Sequence, residues 1–273
     1  ATGGRIERGG RAGAMKILVL MKMVPDIVEE LEVAGDGTSL DQEFLRFIVN
    51  ERDDYALEQA LLLKERAQAT VIVVAPEAPE IDDVLHTALA KGADRVIKVS
   101  GISATVGTRS TASALAATLP GIPDVLPADL VLSGCQAIDD LDGFVAPLLA
   151  GALDLPYVGL VSRITVDPGA GTTVVAKEYA GGVMGRFEVA LPAFLGVQGC
   201  EKPPRYVPIA KVRAAMASGG IEVVAAASGP ATTPLEVTAM AKPEAAGHAE
   251  MLEGSVRDVA EKVADILAAR GLL

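Results

Sequence analysis

Tryptophan is absent from the 273 residues, and aromatic residues together make up only 3%. Half of the residues are hydrophobic, so a core must be built from Val, Leu, Ile and Ala. That composition suits buried parallel strands covered by alanine-rich helices. Cysteine is scarce as well. Cys135 and Cys200 are too few for a disulfide framework, and two thiols alone make no structural zinc site. They read as reduced thiols of a cytoplasmic protein. The two histidines, His86 and His248, have no sequence context that supplies a catalytic Ser–His–Asp or Cys–His partner. Positive charge is short too: 24 Lys and Arg stand against 36 Asp and Glu, a net charge of −12. This argues against nucleic-acid binding, which needs clustered basic residues, and against an anionic membrane surface. No uninterrupted apolar run reaches the roughly 18 residues of a spanning helix, so no direct membrane insertion is expected. The first 14 residues, ATGGRIERGGRAGA, carry no apolar secretory segment and read as a tag or extension before Met15.

What the chain does contain is an alternation of short apolar runs with helical stripes. KILVLMK (16–22), TVIVVA (70–75), RVIKVS (95–100), DLVLSG (129–134) and PYVGLVSRITV (156–166) read as strands. Helices are expected from Asn50, where Asp53 three residues on suggests a capping box, and over IDDVLHTALAKGAD, TRSTASALAATL and the run after residue 143. Strand alternating with helix means βαβ units, a parallel sheet and helices on both faces. The fold class is therefore α/β, a doubly wound, mostly parallel, Rossmann-like sheet. From Ile164 the pattern changes to hairpins around VDPGAG and GRFEVALPAFLGV. After Cys200 periodicity fades, and residues 217–248 are rich in Ala, Gly, Pro and Thr, with little to bury against the entropy of ordering. VRDVAEKVADILAARGLL then closes the sequence as an amphipathic helix with Ser255 as its cap. The expected organisation is an extension (1–14), an α/β nucleotide-binding domain (15–200), an extended partner-docking arm (201–248) and a C-terminal helix (249–273).

The stretch LVLSGCQAIDDLDGFVAPLLAGAL (130–153) packs Asp139, Asp140 and Asp142 into one strand-to-helix loop. Four readings compete. A Mg²⁺ or Ca²⁺ site would use the oxygens, yet the spacing is not that of a calcium loop. A general acid/base pair needs carboxylates facing across a cleft, which neighbours in a turn rarely do. A solvated loop ahead of a helix is the plainest account. The fourth is a nucleotide cradle, because doubly wound sheets bind ligands at the carboxyl ends of their strands. There, Gly134 would let backbone approach a ligand, helix-start amides would take a phosphate, and the aspartates would meet ribose or adenine, or cap the helix. GxGxxG after the first strand and GxxxxGK[ST] are both missing, so neither a standard NAD site nor a P-loop is present.

At these residues the sequence resembles the β (small) subunit of electron transfer flavoproteins. ILVLMKMVPD, VNERDDYALEQALLLKE, TALAKGADRVIKV, DLVLSGCQAIDDLDGFVAPLLAGALDLP, EYAGGVMGRFEVALPAFLGV and PPRY match family segments in the same order from Met15 onward. The resemblance implies an adenine nucleotide α-hydrolase-like domain in a heterodimer with an α subunit, which holds FAD and moves electrons from a donor dehydrogenase to an acceptor oxidoreductase. It implies AMP in this chain, or a second FAD in electron-bifurcating members, and no bond-making catalysis. By matched position the cofactor site would comprise Leu20; Asn50, Glu51, Arg52 and Asp53; Ala75 and Pro76; then Gly134, Cys135, Gln136, Ala137, Ile138, Asp139, Asp140, Leu141, Asp142, Gly143, Phe144 and Val145. Departures are Glu51-Arg52 for the family's Pro-Phe, Cys135 for its lysine, and Phe144-Val145-Ala146 for its Gln-x-Gly. A free-standing nucleotide sensor on the same fold and a metal-dependent hydrolase are the other readings.

Overall fold

Lys16–Leu20 forms a strand (β1) that is apolar throughout after its lysine, because both of its faces are covered. Ile17 and Val19 enter one hydrophobic cluster, and Leu18 and Leu20 enter another on the opposite face. The computed structural model describes residues 14–43, 45–102, 107–167, 169–229, 237–243, 247 and 249–273. His248 and all but the last residue of the expected extension lie outside that set.

After β1 come two short antiparallel strands, Met23–Pro25 (β2) and Phe47–Val49 (β3). Helix and strand then alternate: Glu51–Ala67 (α1), Thr70–Pro76 (β4), Ile81–Lys91 (α2), Arg95–Ser100 (β5), Thr108–Thr118 (α3), Leu130–Gly134 (β6) and Val145–Ala152 (α4). Tyr157–Asp167 (β7), Thr172–Tyr179 (β8) and Val183–Ala190 (β9) are joined antiparallel, and Ala193–Val197 (β10) returns to lie between β6 and β7. Ile209–Ser218 (α5) and Ile221–Ala225 (β11) follow. The sheet has nine strands in the order β11-β5-β4-β1-β6-β10-β7-β8-β9. The first seven positions are parallel. Leu57, Leu61, Ile81 and Leu85 of α1 and α2 cover one face, and Leu115, Ala146 and Leu149 of α3 and α4 cover the other. The doubly wound expectation holds.

Two elements were not legible in the sequence. α5 and β11 occupy a stretch read as aperiodic, and β11 extends the parallel sheet by pairing with β5. Ile221 and Val224 add to opposite hydrophobic clusters, and Glu222 pairs with Arg95 at 2.6 Å. A five-residue strand of this kind is stabilised by its neighbour, so no local pattern announces it.

A compact second unit comprises Glu32–Asp41 and Val237–Leu273. In it Asp36 accepts from the backbone N–H groups of Thr38 and Ser39, and Lys242 pairs with Glu32. The helix Val256–Ala269 (α6) begins with a complete Ser255–Asp258 capping box, as its sequence predicts. None of its residues is buried.

In the first unit the segment 201–206 is held to α1 by ion pairs. Arg205 donates to both oxygens of Glu58, which is 3% exposed, and to Glu65, while Arg66 pairs with Glu201. Arg205→Ala leaves a buried carboxylate without its counter-ion, so unfolding free energy in urea should fall by roughly 3 kcal/mol. Adding Glu58→Gln should recover part of that loss.

Candidate functional site

From β1 the chain crosses to β4 on one side, while β6 lies on the other. The order reverses at β1, and such a switch point leaves a crevice at the carboxyl ends of the strands. The end of β1, the start of α1 and the loop after β6 meet there. Leu20 closes β1 as a buried residue. Ala75, buried, and Pro76, half-buried, end β4 on the neighbouring strand.

The centre of the assembly is Asp53, 4% exposed. Its Oδ1 accepts from the Gly134 backbone N–H at 2.6 Å and its Oδ2 from the Lys22 N–H at 3.0 Å. One carboxylate thus ties the ends of β1 and β6 to α1. Burial pushes the carboxyl up to about 6, against the opposing effect of these hydrogen bonds and one from Asn50. Asn50 donates from Nδ2 to the Gln136 carbonyl at 3.1 Å. The expected capping box is therefore absent: Asn50 makes no side-chain cap bond, and both side chains reach across to other segments.

Gly134 lies close against the start of α1. A Cβ there would lie 2.7 Å from Asp53 Oδ1, 2.8 Å from Arg52 Cβ and 2.9 Å from Asn50 Nδ2. The helix start itself fills the space. Glu51 is exposed beside it, and Arg52 Nη1 lies 3.5 Å from the buried Cys135 Sγ. Burial raises the Cys135 thiol and Arg52 opposes that shift, while the Cys135 N–H donates to Val197.

The aspartates brace the loop. Asp139 pairs with Lys22 Nζ at 2.7 Å, and Asp140 lies 3.5 Å from the same amine. Asp140 also accepts from the Ala137 N–H, and burial raises its carboxyl. Asp142 accepts from the Thr108 hydroxyl and the Phe144 N–H. Gln136 donates to the Leu141 carbonyl. Among the described residues no group of three His, Cys, Asp or Glu is placed to hold a metal ion. Gly143 turns at φ 63°, where a Cβ would stand 2.6 Å from the Cys135 carbonyl. Leu141 also lies in the left-handed region, at φ 51°. Ile138, Leu141 and Phe144 are left 45%, 63% and 58% exposed on the loop. Lys22 and Thr108 are the partners that residue spacing did not single out; they sit 117 and 34 residues from the aspartates they hold.

Two helices begin at this crevice, and they differ electrostatically. α1 carries Glu51, Asp53 and Asp54 in its first turn, so its own carboxylates answer its positive end. α4 has no acidic residue in its first turn and no side-chain cap. The Val145 and Ala146 amides at its start have no acceptor among the described residues. Such amides are suited to an anion. The loop that leads into them is the one that the aspartates brace with hydrogen bonds and ion pairs.

Residues 40–231 match the electron transfer flavoprotein domain family. The chain is 31% identical over 268 residues to the electron transfer flavoprotein subunit beta of Methylophilus methylotrophus, covering 93% of this chain and 98% of that one. It is 31% identical over 260 residues to the protein of the same name from Clostridium acetobutylicum, covering 91% and 96%. Protein FixA of Azotobacter vinelandii is 33% identical over 183 residues, covering 66% and 64%.

Gly134→Ala should displace the α1 start and lower stability by roughly 2–3 kcal/mol in denaturant unfolding. Asp53 gives a pH signature. Its folded value lies above the ordinary carboxylate value, so its contribution is greatest below about 4 and declines as pH rises to about 6. Unfolding measured from pH 4 to 7 should show Asp53→Asn more destabilising at pH 4 than at pH 7, by up to ~3 kcal/mol.

Proposed function

The chain belongs to the electron transfer flavoprotein β-subunit family, and from that membership we propose that it binds AMP at the switch-point crevice and partners an α subunit that holds FAD. The observation that carries the nucleotide reading is the pair of open amides of Val145 and Ala146 at the start of α4, next to the Phe144 N–H that Asp142 takes, in a loop braced by Asp139, Asp140 and Asp142. The residues fit a nucleotide monophosphate in kind. The backbone of Gly143, Val145 and Ala146 would hold the phosphate. Leu20, Ala75 and Pro76 would form the wall at the strand ends. Asn50 through Asp53 and Gln136 through Leu141 would keep the two lips of the crevice together. Arg52 supplies a cation beside it.

In this reading the chain makes and breaks no covalent bond. FAD supplies the redox chemistry when bound by α, accepting electrons from a dehydrogenase and passing them to an acceptor oxidoreductase. The residues of this chain position that partner and shield its flavin from water. AMP binds the folded state only and so stabilises it by mass action. Assembly draws on α6, whose Val256, Val259, Val263, Ile266 and Leu267 form an apolar stripe on a helix with no buried residue in its own unit. Cys135 and Cys200 are free thiols, which fits a cytoplasmic carrier. Among the described residues no helix is long and apolar enough to cross a membrane.

The test is to co-purify the chain with its α partner, denature the complex and identify the released nucleotides by chromatography with mass detection. One FAD and one AMP per heterodimer is the expected result. Two FAD without AMP would assign a bifurcating role, and neither nucleotide with no retained partner would favour a free-standing sensor. Deleting residues 249–273 should weaken retention of the partner.

A further inference from the structure

Lys22 joins three segments of the crevice. It follows the end of β1, and the start of α1 fixes its main chain. Its N–H donates to Asp53 Oδ2 at 3.0 Å, and its carbonyl accepts the Asn50 N–H at 3.0 Å. From that anchored backbone the side chain crosses to the loop after β6, 117 residues away in sequence. Its Nζ lies 2.7 Å from Asp139 Oδ1 and 3.5 Å from Asp140 Oδ2. Among the described residues no other cation pairs with either aspartate. Asp142 is answered by neutral donors, the Thr108 hydroxyl and the Phe144 N–H. The loop thus sets three carboxylates against one ammonium, just before the amides of Val145 and Ala146.

A phosphate approaching those amides meets the field of the loop that presents them. The side chains of Lys22, Asp139 and Asp140 are 32%, 29% and 16% exposed, so water screens their charges only in part. Without the ammonium, the loop would repel a phosphate and lose its tie to β1. We propose that Lys22 is a positioning residue for the nucleotide: by cancelling the charge of Asp139 and Asp140 it holds the loop to the end of β1 and lets the start of α4 receive a phosphate. It acts through the two carboxylates. This inference rests on the AMP site proposed above.

The role is visible in a pH profile. Burial holds the Asp140 carboxyl above its ordinary value, the Lys22 charge opposes that rise, and Asp139 and Asp142 add to it. Without Lys22, Asp140 takes up a proton more readily as pH falls, and the loop regains part of the lost compensation. The other charged or titratable groups at the crevice are Glu51, Arg52 and Asp53 of α1, Cys135 of the loop and Arg109 of α3. They are the same in wild type and variant, so the ratio of the two affinities isolates the loop.

The experiment titrates AMP calorimetrically into the AMP-depleted full-length complex with α. The variants are Lys22→Met, Lys22→Arg, Asp139→Asn/Asp140→Asn and the triple Lys22→Met/Asp139→Asn/Asp140→Asn. The control is Lys64→Met, whose ion pair with Asp94 has similar exposure and lies at the amino end of β5. At pH about 7.5 and about 50 mM NaCl, Lys22→Met should raise the Kd for AMP roughly tenfold, with Lys22→Arg and the control within about twofold of wild type. The ratio of Lys22→Met to wild type should shrink at pH about 5.5 and at about 500 mM NaCl. A ratio that neither pH nor salt moves would mean that only packing of the lysine stem was lost, and it overturns the proposal. Thermal melts report whether each complex is folded. If Lys22→Met does not fold, the triple variant is compared with the double: without the carboxylates, losing Lys22 should change Kd less than about twofold, and a larger loss overturns the proposal. An unchanged Kd in Lys22→Met overturns the role of Lys22 and leaves the AMP site standing. A wild-type complex that takes up no AMP overturns both.

Discussion

The carboxylate of Asp53 accepts one backbone N–H from the end of β1 and another from the end of β6. These are the strands on either side of the reversal in the sheet order. A backbone donor buried without an acceptor is costly, and a carboxylate buried without donors is costlier. Each need is met by the other. The result fixes where α1 starts, how near it comes to Gly134 and how wide the crevice between the two strands can be. Burial still raises the Asp53 carboxyl, so the knot holds some electrostatic strain at neutral pH.

The same knot explains the division of labour between the two helix starts. The Lys22 and Gly134 amides at the ends of β1 and β6 are taken by Asp53, and the first turn of α1 is acidic. The helix whose first turn carries no acidic residue and no side-chain cap bond is α4. The loop before it is tightly turned and held at several points. Gly143 permits the turn, Lys22 and Thr108 anchor the aspartates, and Gln136 closes the loop on Leu141. Three carboxylates close together are tolerable because each finds its own donors.

Around this centre the sheet serves two purposes. Its seven parallel strands bury both faces and carry the crevice. Its antiparallel end, β7 to β9, turns Ile164 and Val175 into the core and leaves Arg163 and Arg186 exposed on the other face. α6 adds an apolar stripe whose residues find no burial in its own unit. Both features suit a chain whose proposed work depends on a partner.

The sequence by itself determined the doubly wound class. The runs at β1, β4, β5 and β6 are apolar on consecutive residues, and only a sheet covered on both faces accepts that. It also determined the α6 cap, because Ser255 and Asp258 act within one turn. It marked the segments that meet at the crevice through the resemblance of their motifs. Tertiary structure alone decided what those residues touch. Asn50 and Asp53 have the spacing of a local cap, yet their side chains bond residues 86 and 81 positions away. Gly134 makes room for a helix start, and the aspartates answer Lys22 and Thr108. β11 exists as a strand only because β5 offers it an edge. Local patterns report interactions within a turn or along a strand; a hydrogen bond across the sheet leaves no period in the sequence.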